Sequence, residues 1–101
     1  MIDQRVQYDK KRLVDYCRQN NIRRLAVFGS AIHGDMGPDS DLDLLVDLKE
    51  PVGYFRFVRM EAELRPIFGE CKRVDLLTRN SLSKFFRDEI LKECEVIYEE
   101  K

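Results

Sequence analysis

Leu25-Ala26-Val27-Phe28-Gly29-Ser30 is followed, after ten residues, by Asp41-Leu42-Asp43-Leu44-Leu45-Val46. The apolar run before Gly29 reads as a buried strand, and Gly29-Ser30 as a tight turn that offers backbone donors. The segment between, Ala31 to Ser40, is polar and rich in turn formers such as Gly34, Gly37, Pro38 and Asp39. The second run reads as a strand carrying two acids. Side chains alternate along it, so Asp41 and Asp43 point one way while Leu42 and Leu44 point the other. A site built in this order can hold a phosphate on one side and a divalent cation on the other.

Two carboxylates at neighbouring same-face positions repel each other unless a cation lies between them. Asp is also a poor strand residue, so the pattern is locally unfavourable, as functional sites often are. Magnesium resolves the conflict, because it prefers hard oxygen ligands from a few carboxylates together with substrate phosphates. A third acid stands in Arg73-Val74-Asp75-Leu76-Leu77, another apolar run. If the second and third strands are neighbours, Asp75 faces the same crevice as Asp41 and Asp43. Three converging acids suit two metal ions and an in-line displacement at phosphorus. Gly29 lets backbone approach a phosphate closely, and the amides after it, with the Ser30 hydroxyl, can donate to one. Taken singly, Gly-Ser is a turn, Asp-x-Asp a chance pair, and Asp75 a salt-bridge partner for Arg73. Jointly they describe a metal-nucleotide site.

Outward from that site, residues 7–20 read as a first helix, with Val6, Leu13 and Cys17 at helical spacing and Asn20-Asn21 as a stop. Arg23 to Phe28 is strand one, and Ser30 to Ile32 can begin a short helix. Strand two runs from Asp41 to Leu48, where Pro51 and Gly53 close it. Tyr54 to Leu64 follows as a helix whose stripe is Phe57, Val58, Met60 or Glu61, and Leu64. Lys72 to Leu77 is strand three. Residues 81–93 form a last helix with Leu82, Phe85, Phe86 and Ile90 inward, and Glu95 to Tyr98 a final short strand. One aromatic of each pair, Tyr54-Phe55 and Phe85-Phe86, is expected in the core. The fold class is α+β, a small mixed β-sheet backed by helices.

The 101 residues, with no repeat or linker, read as a single domain, and the 44% apolar fraction supports one core. A formal charge of -1 gives no concentrated basic face, so general nucleic-acid binding is not expected. Cys17, Cys71 and Cys94 are odd in number and widely spaced, and with one histidine they offer no usual zinc set. Each reads as a small core residue in a reducing compartment. His33 reads as an exposed loop residue. No signal-peptide pattern opens the sequence and nothing approaches the ~20 apolar residues of a membrane span. A cytoplasmic protein without membrane contact is the expectation.

Val27-Phe28-Gly29-Ser30, Pro38-Asp39-Ser40-Asp41-Leu42-Asp43-Leu44-Leu45-Val46 and Val74-Asp75-Leu76-Leu77 resemble the nucleotidyltransferase superfamily with the polymerase-beta-like core. The resemblance is to its minimal nucleotidyltransferases and extends over nearly the whole chain. It implies that Asp41 and Asp43 ligate Mg2+ (two ions) bridging the triphosphate, with Asp75 completing the second site and helping to activate the acceptor hydroxyl. Gly29, Ser30 and Ser40 would hold the nucleotide. Many minimal members read Gly-Ser-Arg-Ala-Arg-Gly, whereas Ala31 and His33 stand where those arginines would be. The larger transferases add a second domain for the acceptor, for which this sequence leaves no length. Minimal nucleotidyltransferases resemble the antitoxin of modules whose partner is a HEPN-domain toxin. That analogy implies AMP transfer from ATP to a partner-protein hydroxyl. The rival readings are a non-catalytic module that neutralises a partner by contact, and a transferase acting on an aminoglycoside-like small molecule.

Overall fold

Asp9 caps the first helix: its carboxylate accepts the Arg12 amide at 3.2 Å, and α1 runs Lys10–Gln19. The computed structural model in which this is seen describes residues 8–29, 42–68 and 74–100. The cap starts the helix later than apolar spacing alone suggests, since Asp9 takes a non-helical backbone. Asn21 then adopts a left-handed conformation (φ 56) and ends the helix as its residue type predicts. Strand β1 is Ile22–Phe28 and β2 is Leu42–Leu48. Helix α2 is Tyr54–Leu64, continued by a 3-10 turn at Arg65–Phe68. Strand β3 is Val74–Leu77, a 3-10 turn follows at Arg79–Ser81, α3 is Arg87–Glu93, and β4 is Glu95–Glu99. The expected short helix at Ser30 to Ile32, the start of strand two at Asp41 and that of strand three at Lys72 lie outside the described residues.

The strands form one mixed sheet in the order β3-β2-β1-β4. β1 pairs antiparallel with β2 and with β4, while β2 pairs parallel with β3. The parallel pair is joined through α2, the crossover that parallel neighbours require. Leu25 and Val27 of β1, Leu42, Leu44 and Val46 of β2, and Val74 and Leu76 of β3 share one face. They pack with Leu13 and Cys17 of α1, Met60 and Leu64 of α2, and Ile67 and Phe68 in one buried cluster. The opposite face carries a smaller cluster, Ala26, Phe28 and Leu45 under Leu82, flanked by Leu77, Ile90, Leu91 and Cys94.

Three packing expectations are corrected. Val58 lies outside the α2 stripe and is exposed, because the Phe57, Met60 and Leu64 edge meets the sheet and position 58 is rotated away from it. Tyr54 and Phe55 are both exposed and meet each other edge-on, with centroids 5.8 Å apart. Phe85 and Phe86 also face outward, at 87% and 58% exposure. The cause is local. Ser81 Oγ accepts the Thr78 amide at 3.1 Å and Ser83 Oγ accepts the Phe85 amide at 3.4 Å. The first closes the separate 3-10 turn at Arg79–Ser81, and the Ser83 carbonyl then opens a new turn by accepting the Phe86 and Arg87 amides, so α3 begins only at Arg87 and the inward register expected from residue 81 is lost.

At the C-terminal end of β2, Asp47 ties three segments together. Its carboxylate accepts Arg79 through Nε and Nη2, both at 3.0 Å, and Arg24 Nε at 3.1 Å. The paired bonds to Arg79 anchor the 3-10 turn to the sheet, and Arg24 also reaches Glu99 at 3.8 Å. Charge-assisted bonds of this kind are among the stronger polar contacts.

Replacing Asp47 with Ala would leave two guanidinium groups facing each other. It is expected to cost about 1–3 kcal/mol, a fall in Tm of ~5–15 °C by thermal unfolding. Burial pushes the Cys17 thiol from 9.0 up to about 12. The folded chain therefore holds that proton more tightly than the unfolded one. The associated stability is complete below pH 9 and is lost as the pH rises toward 12. In urea unfolding, the stability difference between wild type and Cys17→Ala is expected to narrow across that window.

Candidate active site

The sheet face that carries Phe28 and Leu45 also carries Asp43 and Asp75. Asp43 is the register partner of Phe28 on β1 and of Asp75 on β3. In a parallel pair, residues in register point to the same face, and neighbouring strands lie about 4.8 Å apart. The two acids are thus side by side, both half-buried. The apolar face fixes that arrangement. A one-residue slip of β3 would turn Val74 and Leu76 out of the main core and Asp75 into it.

Gly29 closes the site on the third side. It follows Phe28 directly and has a left-handed backbone (φ 76). A Cβ at this position would lie 2.5 Å from Asp43 Oδ2, well inside contact distance. The left-handed turn favours glycine, and a Cβ here would also push the Asp43 carboxylate aside. Sequence reasoning placed Gly29 against a phosphate. The geometry adds a role against the acid.

Asp43, Asp75 and Gly29 lie together in the structure. Asp41, Ser30 and Ser40, with His33 and Cys71, lie outside the described residues. Among the described residues no group of three His, Cys, Asp or Glu side chains gathers to hold a metal ion. Asp43 and Asp75 supply two carboxylates of the hard-oxygen type that magnesium takes, and Asp41 is the third that the sequence offers. The donor chemistry fits a divalent cation of that class.

Two residues were not legible as part of this region. Asp47 shares the face and strand of Asp43 but is committed to Arg24 and Arg79. A cleft lined by Arg23, Arg24, Asp47, Arg79 and Glu99 lies at that end of β2 and not beside the acids. Glu61, on α2, accepts the backbone amide of Leu76 at 3.0 Å, next to Asp75 in sequence. Its only signal was a carboxylate within a helix stripe that otherwise packs against the sheet. Cys17 is buried and Cys94 half-buried, each with its thiol pushed up mainly by burial.

Residues 11–101 match the model of the polymerase beta nucleotidyltransferase family. Protein adenylyltransferase MntA of Thermococcus cleftensis is 36% identical over 77 residues, which is 76% of this chain and 74% of that protein. A chain in a crystal structure of a toxin-antitoxin with AMP-PNP superposes with a TM-score of 0.72 at 17% identity, covering 92% of this chain and 75% of its own length. A chain in the structure of a tri-AMPylated Shewanella oneidensis HEPN toxin in complex with MNT antitoxin gives a TM-score of 0.63 at 15% identity, covering 90% and 70%. Among the described residues, no helix is long and apolar enough to cross a membrane. With the parallel β2–β3 pair, its matched acids and the glycine turn in place, the chain belongs to the polymerase beta nucleotidyltransferase family.

Proposed function

We propose that this chain transfers AMP from ATP, with Mg2+, to a hydroxyl group of a partner protein, and that it acts as the antitoxin of a HEPN-type toxin. The observation that carries the reading is the in-register pair Asp43 and Asp75 beside Gly29. The relative named a protein adenylyltransferase supports the reaction class. The neighbours with AMP-PNP and with an AMPylated HEPN toxin support the nucleotide and the kind of partner.

Asp41, Asp43 and Asp75 would hold the metal ions. Bound there, Mg2+ would neutralise triphosphate charge and stabilise both the attacking and the leaving oxygen. Gly29, Ser30 and Ser40 would grip the phosphates through backbone and hydroxyl donors. Asp75 stands at the edge of the acid pair and would take the proton of the acceptor hydroxyl. The acceptor oxygen forms a bond to the α-phosphorus as the bond from that phosphorus to the β-bridging oxygen breaks. Pyrophosphate leaves. Positioning and charge neutralisation supply most of the acceleration. We read residues 1–101 as one nucleotidyltransferase domain and the partner protein as the source of the acceptor hydroxyl.

The test is ATP labelled at the α-phosphate, incubated with Mg2+, host lysate and either wild type or Asp43→Asn. Label on one discrete protein, reduced about a hundredfold or more in the variant and abolished by EDTA, is the expected result. Label that persists in Asp43→Asn would overturn the assignment of that acid. Label on a small molecule would move the acceptor class to a metabolite. Neutralisation of a partner without any transfer would make the chain a stoichiometric binder.

Gly29→Ala tests the glycine separately. Forcing a Cβ into a left-handed residue costs about 1–2 kcal/mol, and here it also displaces the Asp43 carboxylate. Transfer is expected to fall by more than the loss of folded protein accounts for, read as specific activity corrected for the folded fraction.

A further inference from the structure

Strand β3 is the outer strand on its side of the described sheet and pairs with β2. Successive amides of a strand point to opposite edges. The Leu76 amide donates to Glu61 Oε2 at 3.0 Å, so it points away from β2, and the amide of Asp75 faces β2. Glu61 lies on α2, on the other side of the sheet from the acids, and wraps its carboxylate around the β3 edge. That edge is short, spanning Val74–Leu77, and outer-strand amides are where pairing frays or slips.

We propose that Glu61 is a positioning residue for Asp75. By holding the Leu76 amide, it keeps β3 in the register that sets Asp75 opposite Asp43. This rests on the proposed use of that pair as a metal site. Glu61 stays off the acid face and so does not serve as a metal ligand. Its work is done through the backbone of the next residue but one to Val74. A carbonyl oxygen at the same place can accept the same bond, so Gln keeps the function and Ala loses it.

The experiment uses the full chain as wild type, Glu61→Gln, Glu61→Ala and Asp43→Asn. Manganese affinity is measured by electron paramagnetic resonance with α,β-methylene ATP present, an analogue whose α–β bridge does not break. Amide hydrogen exchange is followed at Leu76 and, as a control for global stability, at Leu13 and Cys17. Glu61→Ala is expected to exchange at Leu76 about tenfold faster or more, with the α1 amides unchanged, and to bind manganese about tenfold more weakly. Glu61→Gln is expected to stay within about twofold of wild type on both readouts. A merely structural Glu61 would move the α1 amides together with Leu76 and overturn the proposal. So would Glu61→Gln failing as badly as Ala, since a charge and not a backbone bond would then be at work. Manganese binding lost in Asp43→Asn but kept in Glu61→Ala overturns this inference alone. A wild type with no saturable manganese site overturns both it and the functional reading.

Discussion

The register of β2 against β3 is the constraint on which the rest of this molecule depends. β2 is an interior strand, and its two faces have opposite requirements. Leu42, Leu44 and Val46 must enter the main core beside α1 and α2. Once they do, Asp43 and Asp47 have no choice of side. The same holds for β3, where burial of Val74 and Leu76 sends Asp75 to the acid face. Two apolar stripes thus align two carboxylates without any attraction between the carboxylates themselves. Hydrophobic burial, at roughly 1.5–3 kcal/mol for each large side chain, outweighs the repulsion of two partly solvated charges.

The acid face divides along β2 into two ends with different chemistry. At one end Asp47 is saturated by Arg24 and Arg79, and its charge is spent on holding the turn after β3. At the other end Asp43 meets Asp75 and the Gly29 turn. Leu45, with Ala26, Phe28 and Leu82, lies between them. Along a single strand, Asp47 is committed to the arginine clamp while Asp43 stands in register with Asp75.

Much of this was readable in the residues because it follows from local rules. Continuous apolar runs marked β1 and β2, Asn21 marked the end of α1, and Gly53 fixed the start of α2. The pairing of Asp43 with Asp75 required only that strands two and three be neighbours. Other features were hidden for physical reasons. The commitment of Asp47 depends on arginines distant in sequence, and nothing in the Asp41, Asp43 and Asp47 spacing distinguishes the third from the first two. Phe85 and Phe86 fit a helical stripe by spacing, yet the chain closes one turn at Ser81 and opens another at Ser83, so the continuous helix that the spacing assumes is not there. Glu61 looked like an interruption of an apolar stripe, because the strand edge it serves exists only after the chain has folded.

The two faces of the sheet are also unequal in a way that suits the proposed chemistry. One face is sealed by α1, α2 and the Arg65–Phe68 turn, and Tyr16 of α1 ties to Glu63 of α2 at 3.0 Å. Among the described residues, the other face carries Leu82 and the α3 segment over Ala26, Phe28 and Leu45. The larger cluster lies on the first face, so the strands are positioned mainly from that side. Asp43, Asp75 and Gly29 remain half-buried at the margin of the other, held by strands whose positions are set from behind. Acids whose strands are fixed by packing on the opposite face are held in place without help from one another, which is the preorganisation that chemistry at such a site needs.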